Sequence, residues 1–394
     1  MKKQLLTTTA LVAAGVFTVS GAALADKPSL TVGGFTEQIF GVGNNSDAFD
    51  AATGGNRTGF DQHSDGEVHF NGAVTLDNGI KIRTRVEMES NSTNDKTAGA
   101  ENNIVNGAPG STGDGDFVDE HWMRISGSFG EVRLGSGDAA AQAMTTGYLG
   151  TWSTNVGQNL AFDTSDWISN PAAVTASTVG RVDLSSDAEH ISYFTPRFAG
   201  FQAGISYIPS DQEDVNNQRA LSTAGDQEGW SMGVNFDKKF GSVGVGVAVG
   251  YAIESETTTA NKKDGEVWGI GGRVDFSGFR LAMSWVDKKA QNTAGATGVG
   301  GQGQETFEIG GRYTFGPNAV SIAHLSAETD GTQASGRNGD EAKVTFVAYR
   351  RTLGPGVFWK VTGMFADFDD GATGAAAGAS NDGEAVTTSI FIAF

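Results

Sequence analysis

From residue 27 onward the chain alternates apolar and polar positions with a period of two, and helical periodicity is hard to find. In 67–76, Val68, Phe70, Gly72, Val74 and Leu76 fall on one side, with Glu67, His69, Asn71, Ala73 and Thr75 on the other. Asp77, Asn78 and Gly79 then supply a tight turn, because Asn and Gly accept positive φ at little cost. Beyond it Ile82, Thr84, Val86 and Met88 oppose Lys81, Arg83, Arg85, Glu87 and Glu89. The unit is a hairpin with one apolar and one charged face.

The same unit recurs and predicts sixteen strands: 29–41, 65–76, 80–90, 117–127, 130–136, 187–195, 200–208, 229–238, 242–253, 265–276, 279–288, 305–315, 318–328, 341–353, 356–368 and 385–394. Their connections alternate in length. Short turns fall at 77–79, 127–130, 195–200, 237–241, 276–278, 316–318 and 354–356. Long polar loops fall at 42–64, 91–116, 137–186, 209–228, 254–264, 289–304, 329–340 and 369–384. An even strand number with short turns at one end and long loops at the other predicts an all-β, antiparallel transmembrane barrel. Lipid offers the backbone no hydrogen bonds, so a sheet that crosses it has to close on itself. The apolar face then meets lipid and the Arg- and Glu-bearing face lines the interior, whereas a dry soluble core would not hold such charges unpaired.

Aromatic residues agree with two membrane interfaces. Phe194, Phe198, Phe201, Phe236, Phe240, Phe276, Phe279, Phe315 and Phe358 sit beside short turns; Tyr207, Trp230, Tyr251, Trp268 and Trp285 sit toward long loops. The glycines of 241–250 and 269–272 read as strand positions that allow close packing or bends. One strand is ambiguous: Phe117, Met123 and Ile125 favour one face for lipid, Val118 and Trp122 the other, which leaves the role of Arg124 open.

Residues 1–25 lie outside this pattern and read as a cleaved export signal, with Lys2 and Lys3, an apolar stretch, and a small-residue site at Ala23-Leu24-Ala25. That leaves 26–394 as one barrel domain with 46 acidic against 25 basic residues, a formal charge of -21. A sequence pI near 4.6 argues against nucleic acid as a partner. The absence of Cys removes disulfides, thiol nucleophiles and Cys-based zinc sites.

Several strings carry a resemblance: LTVGGF at 30–35, FGEVRLG at 129–135, ISYFTPRFAGFQ at 191–202, LGPGV at 353–357 and SIFIAF at 389–394. Together, in this order, they resemble the general diffusion porins of the Gram-negative outer membrane, of the alphaproteobacterial kind, across the whole mature chain. The resemblance implies a homotrimer of water-filled channels for small hydrophilic solutes and ions. It also implies contact with outer-membrane lipid and lipopolysaccharide, and a terminal Phe394 read by the barrel-assembly machinery. It further implies a third extracellular loop folded into the lumen, where 137–186 fits by position. That segment is also far longer than the roughly 12–15 residues usual for a structureless loop.

In such channels a basic wall faces carboxylates on the inserted loop. Lys81, Arg83 and Arg85 share the interior face of their strand, so Arg83 and Arg85 are the candidates for the wall, with Lys81 beside the short turn and Arg133 joining from the strand before the long loop. Asp163 and Asp166, with Asp138 at the loop's start, are the carboxylate candidates. Glu67 and His69 stand where a second basic strand would be expected. The net charge would draw cations to the mouth, while the wall reads basic. The lean is to cations, because Asp114, Asp116, Asp119 and Glu120, Asp211, Glu213 and Asp214, and Asp367, Asp369 and Asp370 crowd the loops. Such clusters could hold divalent cations weakly and bridge to lipopolysaccharide phosphates, although solvated acidic loops explain them as well. No resident cofactor or metal is expected.

No catalytic pattern is found. The G-x-G-x-x-G match at 298–303 lies in a Gly-rich loop with no helix to follow, the G-x-S-x-G match at 229–233 lies within a predicted strand rather than at a strand-to-helix turn, and the five His show no helical ligand spacing. The alternatives to a channel are a barrel with an occluded lumen, acting as adhesin or hydrolase, and a soluble secreted sandwich.

Overall fold

The computed structural model describes residues 27–54, 59–90, 118–210, 227–256, 264–289, 303–330, 339–372 and 376–394. Sixteen strands form in chain order: β1 (Ser29–Asn45), β2 (Phe60–Thr75), β3 (Lys81–Glu89), β4 (His121–Gly127), β5 (Gly130–Gly135), β6 (His190–Phe194), β7 (Phe201–Ile208) and β8 (Gln227–Phe240), then β9 (Val243–Glu256), β10 (Gly265–Phe276), β11 (Phe279–Lys289), β12 (Gln304–Phe315), β13 (Asn318–Thr329), β14 (Glu341–Gly354), β15 (Val357–Asp369) and β16 (Asn381–Ala393). Each pairs antiparallel with its chain neighbours, and β1 pairs with β16 to close the barrel. Closure reaches the last residue, since Gly34 and Phe394 exchange both backbone hydrogen bonds at 3.0 Å. At Gly34 the chain takes φ +147° and the backbone of Glu67 stands where a Cβ would be, so only glycine fits this bend.

Period two decides which way each side chain faces. Outward positions are apolar and exposed, as with Leu281 and Met283 on β11 or Val320 and Ile322 on β13; their neighbours Ala282, Ser284, Ala319 and Ser321 are buried inside. The ambiguous strand is settled the same way. Trp122 is buried on the lumen side and Met123 is exposed on the outside, so Arg124 faces the lumen.

Two aromatics depart from the expected girdle. Phe194 is 1% exposed and lies inside, under the Arg133 guanidinium at 4.1 Å. Phe358 shares the inward parity of Lys360, and Arg350 stacks over it at 5.0 Å. Both sit at the right height and on the wrong face, because nearness to a turn fixes depth and only strand parity fixes direction. The outward positions beside them belong to Tyr193 and Trp359, both exposed. The proposed export signal, the acidic residues Asp114, Asp116, Asp211, Glu213 and Asp214, and 298–302 of the glycine motif lie outside the described residues.

Residues 137–186 run inside the barrel. They carry α2 (Ala140–Thr145), a 3₁₀ turn (Thr146–Tyr148), α3 (Gly150–Thr154) and α4 (Leu160–Trp167); α1 (Asp47–Thr53) sits in the first long loop. Ala139 and Leu149 stand at the N-cap positions of α2 and α3 and offer no capping side chain. The wall supplies the caps. Ser206 of β7 accepts from the Ala140 N–H at 2.8 Å and Ser231 of β8 from Ala141 at 2.8 Å. Ser284 of β11 accepts from Gly150 at 2.9 Å and Glu308 of β12 from Thr151 at 2.9 Å. First-turn N–H groups without an intrahelical acceptor are thus met by strands far away in sequence.

The same rail continues around the barrel. Val156 donates to Ser321 of β13 at 3.1 Å, and Gln158 donates from its backbone to Thr362 of β15 at 3.1 Å and from Nε2 to Ser389 of β16 at 3.0 Å and Glu37 of β1 at 3.1 Å. Inward glycines make the space: a Cβ on Gly233 would stand 2.6 Å from Met144, and one on Gly310 would overlap Thr154. Loop apolar groups Leu160, Trp167 and Ile168 bury with Leu325, Val344 and Phe346 of the wall. This is the largest dry cluster among the described residues.

Candidate functional site

The inserted loop lies along the wall from β7 round to β1 and reaches His63 of β2, which leaves β3–β5 facing it across the lumen. Arg83 pairs across β3–β4 with Arg124, and Arg124 across β4–β5 with Arg133, so three guanidinium groups form one row on adjacent strands. Arg85 sits one inward step toward the long loops, and Lys81 one step toward the short turns, opposite Ser126. Like charges in a row need counterions and stacking. Glu131 supplies the first, at 2.6 Å from Arg133 and 3.4 Å from Arg83. Trp122 supplies the second, with Arg124 3.8 Å and Arg85 5.4 Å from its ring. The Arg83 side chain remains 50% exposed although it points into the barrel. Water therefore reaches the interior at this level.

The wall is stratified in charge. Toward the long loops β2 presents Asp61, His63, Asp65, Glu67 and His69 inward, and β3 presents Glu89 and Glu87; below them come Arg85, Arg83 and Lys81. Glu87 accepts from Arg85 at 3.0 Å, and Arg85 also donates to Asn71, its direct cross-strand partner on β2, at 3.0 Å. A second basic group lies near the short turns of β10–β15. Arg280 and Arg312 face each other across β11–β12, and Arg350 and Lys360 across β14–β15. Arg280 donates to Asp275 at 2.6 Å, and Arg273 donates to the Gly147 carbonyl of the loop at 2.6 Å.

The loop carboxylates occupy different places. Asp163 and Asp166 are both on α4. Asp163 accepts from the Asn159 N–H at 2.6 Å while Asn159 accepts from Ala161 at 3.1 Å, a reciprocal cap that ties the start of the helix. Asp163 also lines a lumen pocket with Glu37, Asp65 and Lys360, where Lys360 donates to Glu37 at 2.8 Å. Burial, and then Asp166, Asp65 and Glu37, push the Asp163 carboxyl up to about 7 against the pull of the Asn159 N–H. Asp166 lies 3.8 Å from His63 of β2. Asp138 holds Gln142 within the loop and stands with Asp119, Glu120 and Asp183 around Asp187. Burial and these four charges push Asp187 up to about 8.

Arg83, Arg85 and Arg133 are thus brought together, with wall carboxylates as their ion-pair partners, while Asp163 and Asp166 face β1 and β2. Sequence reasoning left Arg124 open and missed Trp122, Glu131, Glu37 and Lys360. Strand parity would have found Arg124 once Trp122 was assigned inward. Nothing local marks Glu37 and Lys360, which meet only through barrel closure. Of the acidic loop groups, Asp369 accepts from Ser380 at 2.9 Å and Asp370 from the Ala372 N–H at 3.1 Å, so both have local structural partners.

Known proteins share this architecture. An anion-selective porin from Comamonas acidovorans superposes with a TM-score of 0.59 at 20% identity, over 93% of this chain and all of that one. Salmonella typhi OmpF superposes with a TM-score of 0.59 at 11% identity, over 93% and 97%. At these identities the likeness is one of fold. In sequence, outer membrane porin protein 32 of Delftia acidovorans is 27% identical over 206 residues, 52% of this chain and 50% of the relative. The major outer membrane protein of Pasteurella multocida is 24% identical over 152 residues, 39% and 40%. The chain therefore spans half or less of the length of these curated relatives. The pattern of the family described as Gram-negative porin matches residues 7–371. With a closed sixteen-strand barrel, an inward loop and this match over most of its length, the chain belongs to the Gram-negative porin family.

Proposed function

We propose that the protein is a passive channel of the outer membrane that lets small hydrophilic solutes and ions diffuse between two aqueous compartments. The observation that carries this is the water-exposed arginine row on β3–β5, facing the side of the lumen that the inserted loop occupies. A guanidinium pointing into a barrel yet half exposed needs an aqueous interior. Among the described residues the loop fills the β7–β1 side and leaves the other open, which disfavours an occluded barrel.

Selection needs no bond-making step and no catalytic residue. Size is limited by the loop seated on its hydroxyl rail. Charge is sorted in two layers: the acidic outer wall and the net charge raise the local concentration of cations, and the arginine row beneath favours anions. The row, sitting where the lumen is narrowed, sets the balance. Arg83, Arg124 and Arg133 carry it, Arg85 and Lys81 flank it, and Asp166 supplies negative potential from the loop side, joined by Asp163 once that carboxyl ionises above about 7.

The working unit is a homotrimer. Outward positions on a lone barrel should be apolar, yet β1 and β2 present Thr36, Gln38, Gln62 and Ser64 outward, and Gln62 donates to Gln38 at 3.2 Å. Another copy of the chain accounts for this polar strip better than lipid does. Phe394 is exposed beside the closing strand, which supports a role in recognition during assembly.

Reconstitution in a planar bilayer tests the proposal. Stepwise conductance that comes in groups of three levels is expected. A correctly folded barrel that gives no steps would refute the channel, and single unclustered levels would refute the trimer.

A further inference from the structure

One step outward of Arg85, the wall carries a constellation that diffusion alone does not use. His69 on β2 and Glu87 on β3 are direct cross-strand partners. Glu67 lies two residues from His69 and so shares its inward face. His69 Nε2 stands 2.7 Å from Glu67 Oε2 and 3.2 Å from Glu87 Oε2. One ligand atom from each residue falls within 4.8 Å of the other two. The single hydrogen on Nε2 cannot be aimed well at both oxygens, whereas a cation among the three atoms would meet all of them.

We propose that Glu67, His69 and Glu87 form a lumen-wall site for a first-row divalent transition metal, Zn²⁺ above all. One imidazole nitrogen with two carboxylate oxygens suits zinc and its neighbours, while calcium and magnesium favour all-oxygen shells. The ligands stand on two paired strands whose backbone ladder fixes their spacing, so little ordering remains to be done on binding. Three protein ligands leave a position open to the lumen, where a water completes the tetrahedron. Arg85 competes with the metal, since its Nη1 lies 3.0 Å from the same Glu87 oxygen. A bound Zn²⁺ would neutralise the two carboxylates and so remove the negative step that lies above the positive row. The site would make permeation responsive to the metal content of the surroundings.

Calorimetric titration of the detergent-purified protein with ZnCl₂ tests binding without depending on conduction. One site per chain is expected, with affinity reduced on the order of tenfold or more in His69→Asn and in Glu87→Gln, given that even outer-shell partners are worth that much. In a bilayer, Zn²⁺ should lower single-channel conductance and move the reversal potential toward anions in the original protein, with both effects lost in the two variants. Open-channel steps before zinc is added establish that the variants have folded. A zinc response of equal size in His69→Asn, no zinc binding by the original protein, or calcium binding as tight as zinc would each overturn the assignment.

Discussion

The Thr151 backbone N–H donates to Glu308 Oε2 at 2.9 Å, and the same oxygen lies 3.2 Å from the Ser284 hydroxyl, so one wall carboxylate latches the inserted loop from within the barrel. Glu308 is fully buried beneath the loop. A buried N–H left without its acceptor costs about 1–3 kcal/mol. Glu308→Ala should therefore unseat part of 137–186. A second variant reaches the same end sterically: a side chain at Gly150 would stand 2.7 Å from the Glu308 backbone, which cannot yield. Both variants should gain protease cuts within the loop and admit larger sugars in liposome swelling. Unchanged cutting and an unchanged size limit in both would show that the latch does not hold the loop.

The arginine row gives a ranked expectation. Arg83→Ser, Arg124→Ser and Arg133→Ser should each move the reversal potential in a salt gradient toward cations. Arg124 should matter most, because it lies between the other two. Lys81→Ser should matter least, since Lys81 lies exposed near the short turns. An equal or larger shift for Lys81 would place the selective level lower in the barrel than the row.

Strand existence and order were legible, and so was facing in every strand but 117–127, because each depends on a local rule. Alternation placed Val68, Ile82 and Val86 outside and Arg83 and Arg85 inside, and turn length separated the two ends. Rules of that kind fail where a contact is not local. Phe194 and Phe358 were at the expected depth on the opposite face. The loop's course was beyond reading from the residues themselves: its helices begin at Ala139 and Leu149, which carry no capping signal, and the caps come from Ser206, Ser231, Ser284 and Glu308. Likewise Gln158 meets Ser389 across 231 positions. Only the length of 137–186 and the family resemblance pointed to an inserted loop.

The outward strip on β1 and β2 distinguishes lipid from protein as its neighbour. Tryptophan is at home against lipid near an interface and would clash in a packed contact. Gln38→Trp combined with Gln62→Trp should leave the barrel folded and abolish the trimer, as read by light scattering in detergent. A trimer that survives both substitutions would mean that the copies meet elsewhere.

Acidity should govern how the loop sits. The Asp163 carboxyl is pushed up to about 7, above the ordinary value of 3.8, chiefly by burial. A carboxyl with a raised folded value holds its proton more tightly in the folded state. Between about 4 and 7 the folded chain then carries more protons than the unfolded one, and stability falls as pH rises through that window. Asp187, pushed up to about 8, extends the same trend further. Loop protection from protease should therefore be greatest in acid and decline through neutrality. Asp163→Asn keeps an acceptor for the Asn159 N–H and removes the charge, so it should be better protected than the original protein well above pH 7 and no better protected well below it. Protection that rises with pH, or an Asn variant that follows the original curve throughout, would show that Asp163 is ionised in the folded loop at every pH tested.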